Sequence, residues 1–303
     1  MAKIKYREIH LSKTNLIRLD EINAIIVSYQ RQGYRLTLRQ LYYQLVSRDV
    51  IPNNVKEYGK LSTLLKEGRM AGIVDWDAIE DRLRKPDRPP CWDSPTEILE
   101  ACVNQYRCDR MQGQSTYIEV WVEKDALSGV LKRVTEKYGI NIIVNRGYSS
   151  ATAMHDAHRR FRDEIEKIGA NQIKVIYVGD FDPSGQDMIR DIADRIAEFA
   201  GNYDFTIDPI ALTWEQIEAH TPPPNPAKIT DPRAKAYIEK YGDSSWEVDA
   251  LPPEVLDRIL NSVIHAELDQ DQYKSMLAKE EMHRETLKKA NAFVESLLET
   301  SDE

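Results

Sequence analysis

Cysteine is scarce: Cys91, Cys102 and Cys108 are the three in 303 residues. Three thiols exclude a disulfide framework, and their spacing matches no zinc pattern, so they read as reduced and structural. Apolar runs are short. None reaches the roughly 18–20 residues that span a bilayer, and Met1-Ala2-Lys3-Ile4-Lys5 leads into no signal-type apolar core. The expectation is a cytosolic chain with no membrane partner. Internal repeats and low-complexity tracts are missing, which excludes solenoids and linker-like polymers. Positive charge is not in excess either. The net charge of −9 argues, taken whole, against a nucleic-acid partner.

What is present qualifies that last point. Residues 1–90 hold 17 Lys and Arg against 11 Asp and Glu, whereas the remainder holds 24 against 39. A basic N-terminal part on an acidic body is compatible with DNA contact at one end, although exposed Lys and Arg are ordinary on any surface. The length is enough for two domains with cores. Apolar residues at helical spacing from Asn15 to Gln32 predict a helix that Gly33 ends. Thr37 caps a second, Leu38 to Arg48. A third, Val55 to Met70, carries Lys56, Lys60, Lys66 and Arg69. Three short helices with a basic third member fit a winged-helix or helix-turn-helix unit, and equally a small three-helix bundle.

The proline-rich Lys85 to Pro95 marks a boundary, so the chain divides into residues 1–90, a linker helix within 91–115, and 116–303. Ser94 with Pro95 opens the linker helix, with Glu97 at its capping-box position. From Thr116 the pattern alternates: strand Thr116–Val122, helix to Tyr138, strand Asn141–Val144, helix Ala151–Ile168, a strand ending at Val178, helix, and strand Phe205–Leu212. That order predicts a parallel α/β sheet. His220 to Pro232, with five prolines, reads as an extended connection, and Pro253 onward as charged helix.

The stretch Lys174–Gly185 (KVIYVGDFDPSG) organises this half. A β-branched and aromatic strand runs into Asp180 and Asp182, then turns through Pro183-Ser184-Gly185 into a helix. Carboxylates at the carboxyl end of a parallel strand stand where open α/β sheets hold ligands. Two acids one residue apart repel unless a cation or protons intervene, and oxygen-only donors suit Mg²⁺. A solvated turn with an Asp N-cap accounts for the same residues. Glu123 also follows a strand and precedes a helix, so it falls on the same sheet edge. Three converging acids form a candidate site for one or two Mg²⁺ ions acting on a phosphodiester. His155 and His158, on a charged helix face, are set aside as ligands.

This arrangement resembles the Toprim domain of topoisomerases, primases and related nucleases, in which a glutamate follows the first strand and an Asp-x-Asp a later one. Val122-Glu123-Lys124-Asp125-Ala126 and Asp180-Phe181-Asp182-Pro183-Ser184-Gly185 look like the A subunit of topoisomerase VI and its meiotic double-strand-break relative. Arg146-Gly147-Tyr148 with Thr152 is similar to the segment between those words. The resemblance implies an N-terminal winged-helix-like domain followed by a Toprim-type domain with C-terminal helices. It implies Mg²⁺ at Glu123, Asp180 and Asp182, double-stranded DNA as substrate and a homodimer, with the tyrosine of one protomer serving the metal of the other. It also implies a separate ATPase subunit. This chain holds no nucleotide-binding word of its own, so it looks like a minimal A subunit.

The resemblance asks for a nucleophilic tyrosine, and Leu38-Arg39-Gln40-Leu41-Tyr42-Tyr43-Gln44 supplies a pair. Tyr42 shares the apolar stripe with Leu38, Leu45 and Val46. Tyr43 shares the polar face with Arg39, Gln40 and Ser47. A phenol of pKa about 10 needs a nearby cation to act near neutral pH, and Arg39 is placed to supply it or to hold a phosphate. A tyrosine packing along a helix is the plainer account. The expected chemistry is cleavage by transesterification to a 5′-phosphotyrosyl link, with Lys56, Lys60, Lys66 and Arg69 as phosphate contacts. Toprim-type hydrolysis without the tyrosine and DNA binding without catalysis stay open as alternatives.

Overall fold

A computed structural model describes residues 3–79, 89–145, 147–199, 203–227, 231 and 233–299. The chain opens with α1 (Lys13–Arg31), α2 (Leu38–Val46) and α3 (Val55–Met70). Their starts are written locally: the Ser12, Thr37 and Asn54 side chains each accept a backbone N–H of the first turn. At Thr37 the cap is reciprocal, since Gln40 reaches back to the Thr37 N–H. Leu19, Ile22, Leu41, Leu45, Leu61 and Leu65 from the three helices meet in one apolar core. Single bridges, Lys5 to Ala71 and Leu36 to Ile79, tie the flanking chain to this unit. Residues 80–88, which include Lys85 to Arg88 at the start of the proposed boundary, lie outside the described residues.

After α4 (Pro95–Gln105) come β1 (Thr116–Val122), α5 (Asp125–Tyr138), β2 (Asn141–Val144), α6 (Ala151–Ile168), β3 (Gln172–Val178), α7 (Pro183–Glu198) and β4 (Asp204–Ala211). The four strands form a parallel sheet in the order β2-β1-β3-β4. The α/β class and the parallel sheet are as the alternating pattern predicts. Since parallel crossovers are right-handed, the path reverses between β1 and β3. Accordingly α5 packs on β1 and β2, while α6 packs on β1 and β3, and α7 on β4 and α6. Open sheets bind ligands in the crevice at such a reversal, and Glu123 and Asp180 follow the two strands that flank it.

Beyond the sheet, α8 (Trp214–His220) and α9 (Ala234–Tyr241) are short helices the hydropathy pattern does not disclose, and α10 (Pro253–Glu267) and α11 (Gln270–Glu299) are separate. Asp269 makes that break, its Oδ1 accepting the N–H groups of Asp271 and Gln272. The linker helix α4 lies along α11. The N-terminal helices and the sheet share one continuous core. At their junction Tyr34 donates to Asp257 (3.1 Å) beneath Arg133, 4.4 Å above its ring. No helix among the described residues is long and apolar enough to cross a membrane.

Candidate active site

Parallel register sets Val122 beside Val178, so the chain leaves both strands at the same height. The Glu123 N–H donates to Val178 O (2.9 Å), and the Asp180 N–H donates to Glu123 Oε2 (2.9 Å). Gly179 and Gly185 permit this closeness. A β-carbon at Gly179 would lie 2.9 Å from Glu123 Oε2, and one at Gly185 would lie 2.2 Å from the Asp180 carbonyl oxygen. Asp182 is the N-cap of α7, its Oδ1 accepting Gly185 N–H (2.6 Å) and Ser184 Oγ–H (2.8 Å). The capping role is real, and it leaves Oδ2 with no hydrogen bond among the described residues.

Between the acids Phe181 turns inward and is buried with Trp214, Tyr237, Tyr241 and Trp246. Phe181 and Trp246 exchange backbone hydrogen bonds. That bridge delivers two acids that sequence reasoning did not assign, Glu247 and Asp249. Asp249 is 0% exposed, and neither of its oxygens accepts a hydrogen bond among the described residues. Val248 N–H donates to Asp180 Oδ1 (2.9 Å).

Two cations face these five carboxylates. Lys124 Nζ lies 2.6 Å from Asp180, 3.0 Å from Glu247 and 3.6 Å from Asp249. Arg39 Nε lies 3.0 Å from Asp249, and its Nη2 pairs with Glu247. Burial alone would lower the Lys124 pKa, but Asp249, Asp180 and Glu247 outweigh it and hold the ammonium charged. Burial pushes Asp180 up to about 7 despite Lys124, with the Glu123 charge adding to the rise. Glu123 is raised in turn, first by burial, with Asp182 and Asp249 contributing. For Glu247, burial is overcome by Lys124 and Arg39, so its pKa falls.

Tyr43 departs from expectation. Its side of α2 is polar but not open to solvent: Tyr42 and Tyr43 are both 4% exposed, because Asn225 and Glu247 cover that face. Asn225 Nδ2 donates to the Tyr43 hydroxyl at 3.5 Å, and the Arg39 guanidinium stands 6.0 Å from the Tyr43 ring centre. Burial and the Glu247 charge push the phenol up to about 12, outweighing Asn225 and Arg39. A cavity of about 430 Å³ beside it is lined by Arg39, Tyr42, Asn53, Val55, Tyr58 and Glu247 among others. The tyrosine helix and the acids therefore meet within one chain, through the ionic sequence Arg39–Glu247–Lys124–Asp180.

Among the predicted DNA contacts, Lys56, Lys60 and Lys66 are exposed on α3, and Lys60 pairs with Glu57 (2.6 Å). Arg69 is half-buried. It donates to the carbonyls of Trp76 (3.2 Å) and Ile79 (2.9 Å) and sits 5.5 Å from the Trp76 ring centre. Tyr148 donates to Asp187 Oδ2 (2.6 Å) under Arg233, whereas Arg146 lies outside the described residues. His158 is bonded to Tyr203 (2.8 Å) and stacked on Phe199.

The donor set fits a divalent cation. It is all oxygen, it carries three more negative than positive charges, and Glu123 Oε1 and Asp182 Oδ2 accept no hydrogen bond among the described residues. Glu123, Asp180 and Asp182 would hold the ion. Comparison with family models, with curated proteins and with solved structures returned no match.

Proposed function

We propose that this chain is a Mg²⁺-dependent DNA-cleaving enzyme of the topoisomerase VI A-subunit kind, with Toprim-like acids at the sheet edge and Tyr43 as nucleophile on a winged-helix-like unit. The observation that carries the reading is the shared ionic network: Arg39, one turn from Tyr43, reaches through Glu247 to Lys124 and Asp180. In the reaction the Tyr43 oxygen bonds to phosphorus and the P–O3′ bond breaks. The phenolic proton is balanced by the one the 3′-hydroxyl acquires, so one phosphodiester replaces another. Bound Mg²⁺ supplies Lewis-acid stabilisation of charge on the phosphate and the leaving oxygen.

Arg39 is the residue placed to take the phosphate, bidentately, once Glu247 yields it. Glu247 keeps its pairing with Lys124 in that exchange. Lys56, Lys60 and Lys66 supply sequence-independent backbone attraction. A homodimer would cut both strands, and an ATPase subunit would be required for strand passage.

The burial of Tyr43 and its pKa near 12 favour a second reading, hydrolysis at the acid edge without the tyrosine. Incubation with plasmid and Mg²⁺, followed by denaturing gel analysis, separates the two. Covalent protein–DNA adduct is expected for the wild type and is lost in Tyr43→Phe and Asp180→Ala. Cleavage that survives in Tyr43→Phe establishes hydrolysis instead. Undiminished DNA binding with no cleavage by any variant reduces the chain to a binding module.

A further inference from the structure

Lys124 occupies the junction between the acids carried by the strands and those carried by the segment after Trp246. Its Nζ touches both Asp180 oxygens, at 2.6 and 2.7 Å, together with Glu247 Oε2 at 3.0 Å and Asp249 Oδ2 at 3.6 Å. Val248 N–H takes a further position on Asp180 Oδ1. Asp180 is therefore committed toward Lys124, while Glu123 Oε1 and Asp182 Oδ2 accept no hydrogen bond among the described residues. Asp249 is fully enclosed and has no hydrogen bond among the described residues, and its charge is met by the ammonium and by Arg39 Nε, 3.0 Å away. The ammonium has the oxygen neighbours of a bound cation here, with one positive charge, and it is tethered to the backbone at the first residue past Glu123.

Two-metal phosphoryl-transfer centres hold their ions about 3.5–4 Å apart across shared carboxylates. We propose that Lys124 is a built-in second cation: the centre takes a single divalent ion on the Glu123–Asp182 side, and the ammonium holds the place against Asp180, Glu247 and Asp249 that a second ion would take. The inference rests on reading the acid edge as a metal centre. It assigns Asp249 and Glu247 to the ammonium rather than to the ion.

Mn²⁺ titration of the metal-free full chain, with free ion counted by electron paramagnetic resonance, tests it without any DNA. One Mn²⁺ per chain is expected for the wild type and for Lys124→Arg. Lys124→Met, checked for folding by circular dichroism, is expected to take two, and Lys124→Met with Asp249→Asn to return to one. Two ions in the wild type overturn the inference and leave the metal reading standing. One ion in a folded Lys124→Met also overturns it, making Lys124 a structural partner only. No Mn²⁺ bound by the wild type removes the metal reading itself. The wild-type count remains decisive even where Lys124→Met does not fold.

Discussion

Phe181 donates its N–H to Trp246 O at 2.9 Å, and Trp246 returns its own to Phe181 O at 3.0 Å. This two-residue bridge converts a strand-end pair of aspartates into a five-acid centre. Alternation along the paired segments turns both aromatic rings to one side, Phe181 buried and Trp246 half-buried, and leaves Asp180, Asp182 and Glu247 on the other. The same segment carries the partners of Arg39, so the α2 helix and the sheet edge are joined through it. Removing ring packing at Trp246 therefore acts on the site as well as on the core. Trp246 is half-buried, so Trp246→Ala is expected to cost less than a core Trp, about 2–3 kcal/mol of stability, and to weaken Mn²⁺ binding in the fraction that stays folded. Denaturant midpoints and metal titration measure the two effects. Unchanged metal affinity in folded Trp246→Ala would show that the bridge does not organise the acids.

Gly185 tests how tightly the turn is built. A β-carbon there would stand 2.2 Å from the Asp180 carbonyl oxygen, which is backbone and has no side-chain freedom to retreat. Gly185→Ala is expected to lose about 1–3 kcal/mol by overpacking and to displace the Asp180 carboxylate. A thermal shift near zero would mean that the turn relaxes without strain.

The raised acids give the metal-free protein a defined pH response. Asp180, ordinarily at 3.8, is pushed up to about 7 chiefly by burial, and Glu123 shifts the same way for the same first reason. A carboxyl with a raised folded-state pKa binds its proton more tightly in the native state. The resulting stability is complete below the unfolded pKa, near 4, and is lost as pH rises through about 7. The melting temperature without metal should fall from about pH 5 to about pH 8, and Asp180→Asn should flatten that slope. Divalent ion should restore stability most at the upper end, where the ionised carboxylates need it. A slope as steep in Asp180→Asn as in the wild type contradicts the assignment.

Much of the fold follows from local signals. The β-branched run before Gly179, the Ser94, Ser150 and Asp182 caps and the alternation of periods determine strands and helix starts within a few residues. Thr213 with Gln216 is a capping box that signals α8 without any apolar periodicity. The contribution of Glu247 and Asp249 was not legible in this way. Their acid types are ordinary, and only a tertiary bridge to Phe181 brings them to the site. Periodicity likewise identified the polar face of α2 but not what covers it. Asn225 and Glu247, distant in sequence, bury Tyr43 and reverse the expected direction of its activation.

The α3 cations should separate by role in a salt titration of DNA binding. Lys56, Lys60 and Lys66 are exposed, and Ala at any one that contacts phosphate should reduce the salt slope by about one with little change in stability. Arg69 holds the part-buried carbonyls of Trp76 and Ile79, so Arg69→Ala should instead cost about 1 kcal/mol, the net worth of such hydrogen bonds. A salt slope altered by Arg69→Ala without loss of stability would return Arg69 to the DNA surface.

Glu119, in the middle of β1, is the sharpest test of what supports the acid edge from below. It is 0% exposed, and each oxygen has two donors: Tyr117 (2.9 Å) and Arg160 Nε (2.6 Å) on one, Trp121 (2.9 Å) and Arg160 Nη2 (2.9 Å) on the other. The carboxylate is enclosed while Arg160 is partly open to solvent, so removing Glu119 leaves Arg160 and the Tyr117 and Trp121 donors without their acceptor. Glu119→Ala orphans these donors and should cost about 1–3 kcal/mol. Removing both, as Glu119→Leu with Arg160→Met, should recover most of that loss. The double variant keeps Glu123 at the strand end and should retain the wild-type Mn²⁺ count, which separates support of the fold from participation in the centre. Equal losses in the single and double variants would show that Glu119 contributes specific strand geometry that apolar packing does not replace.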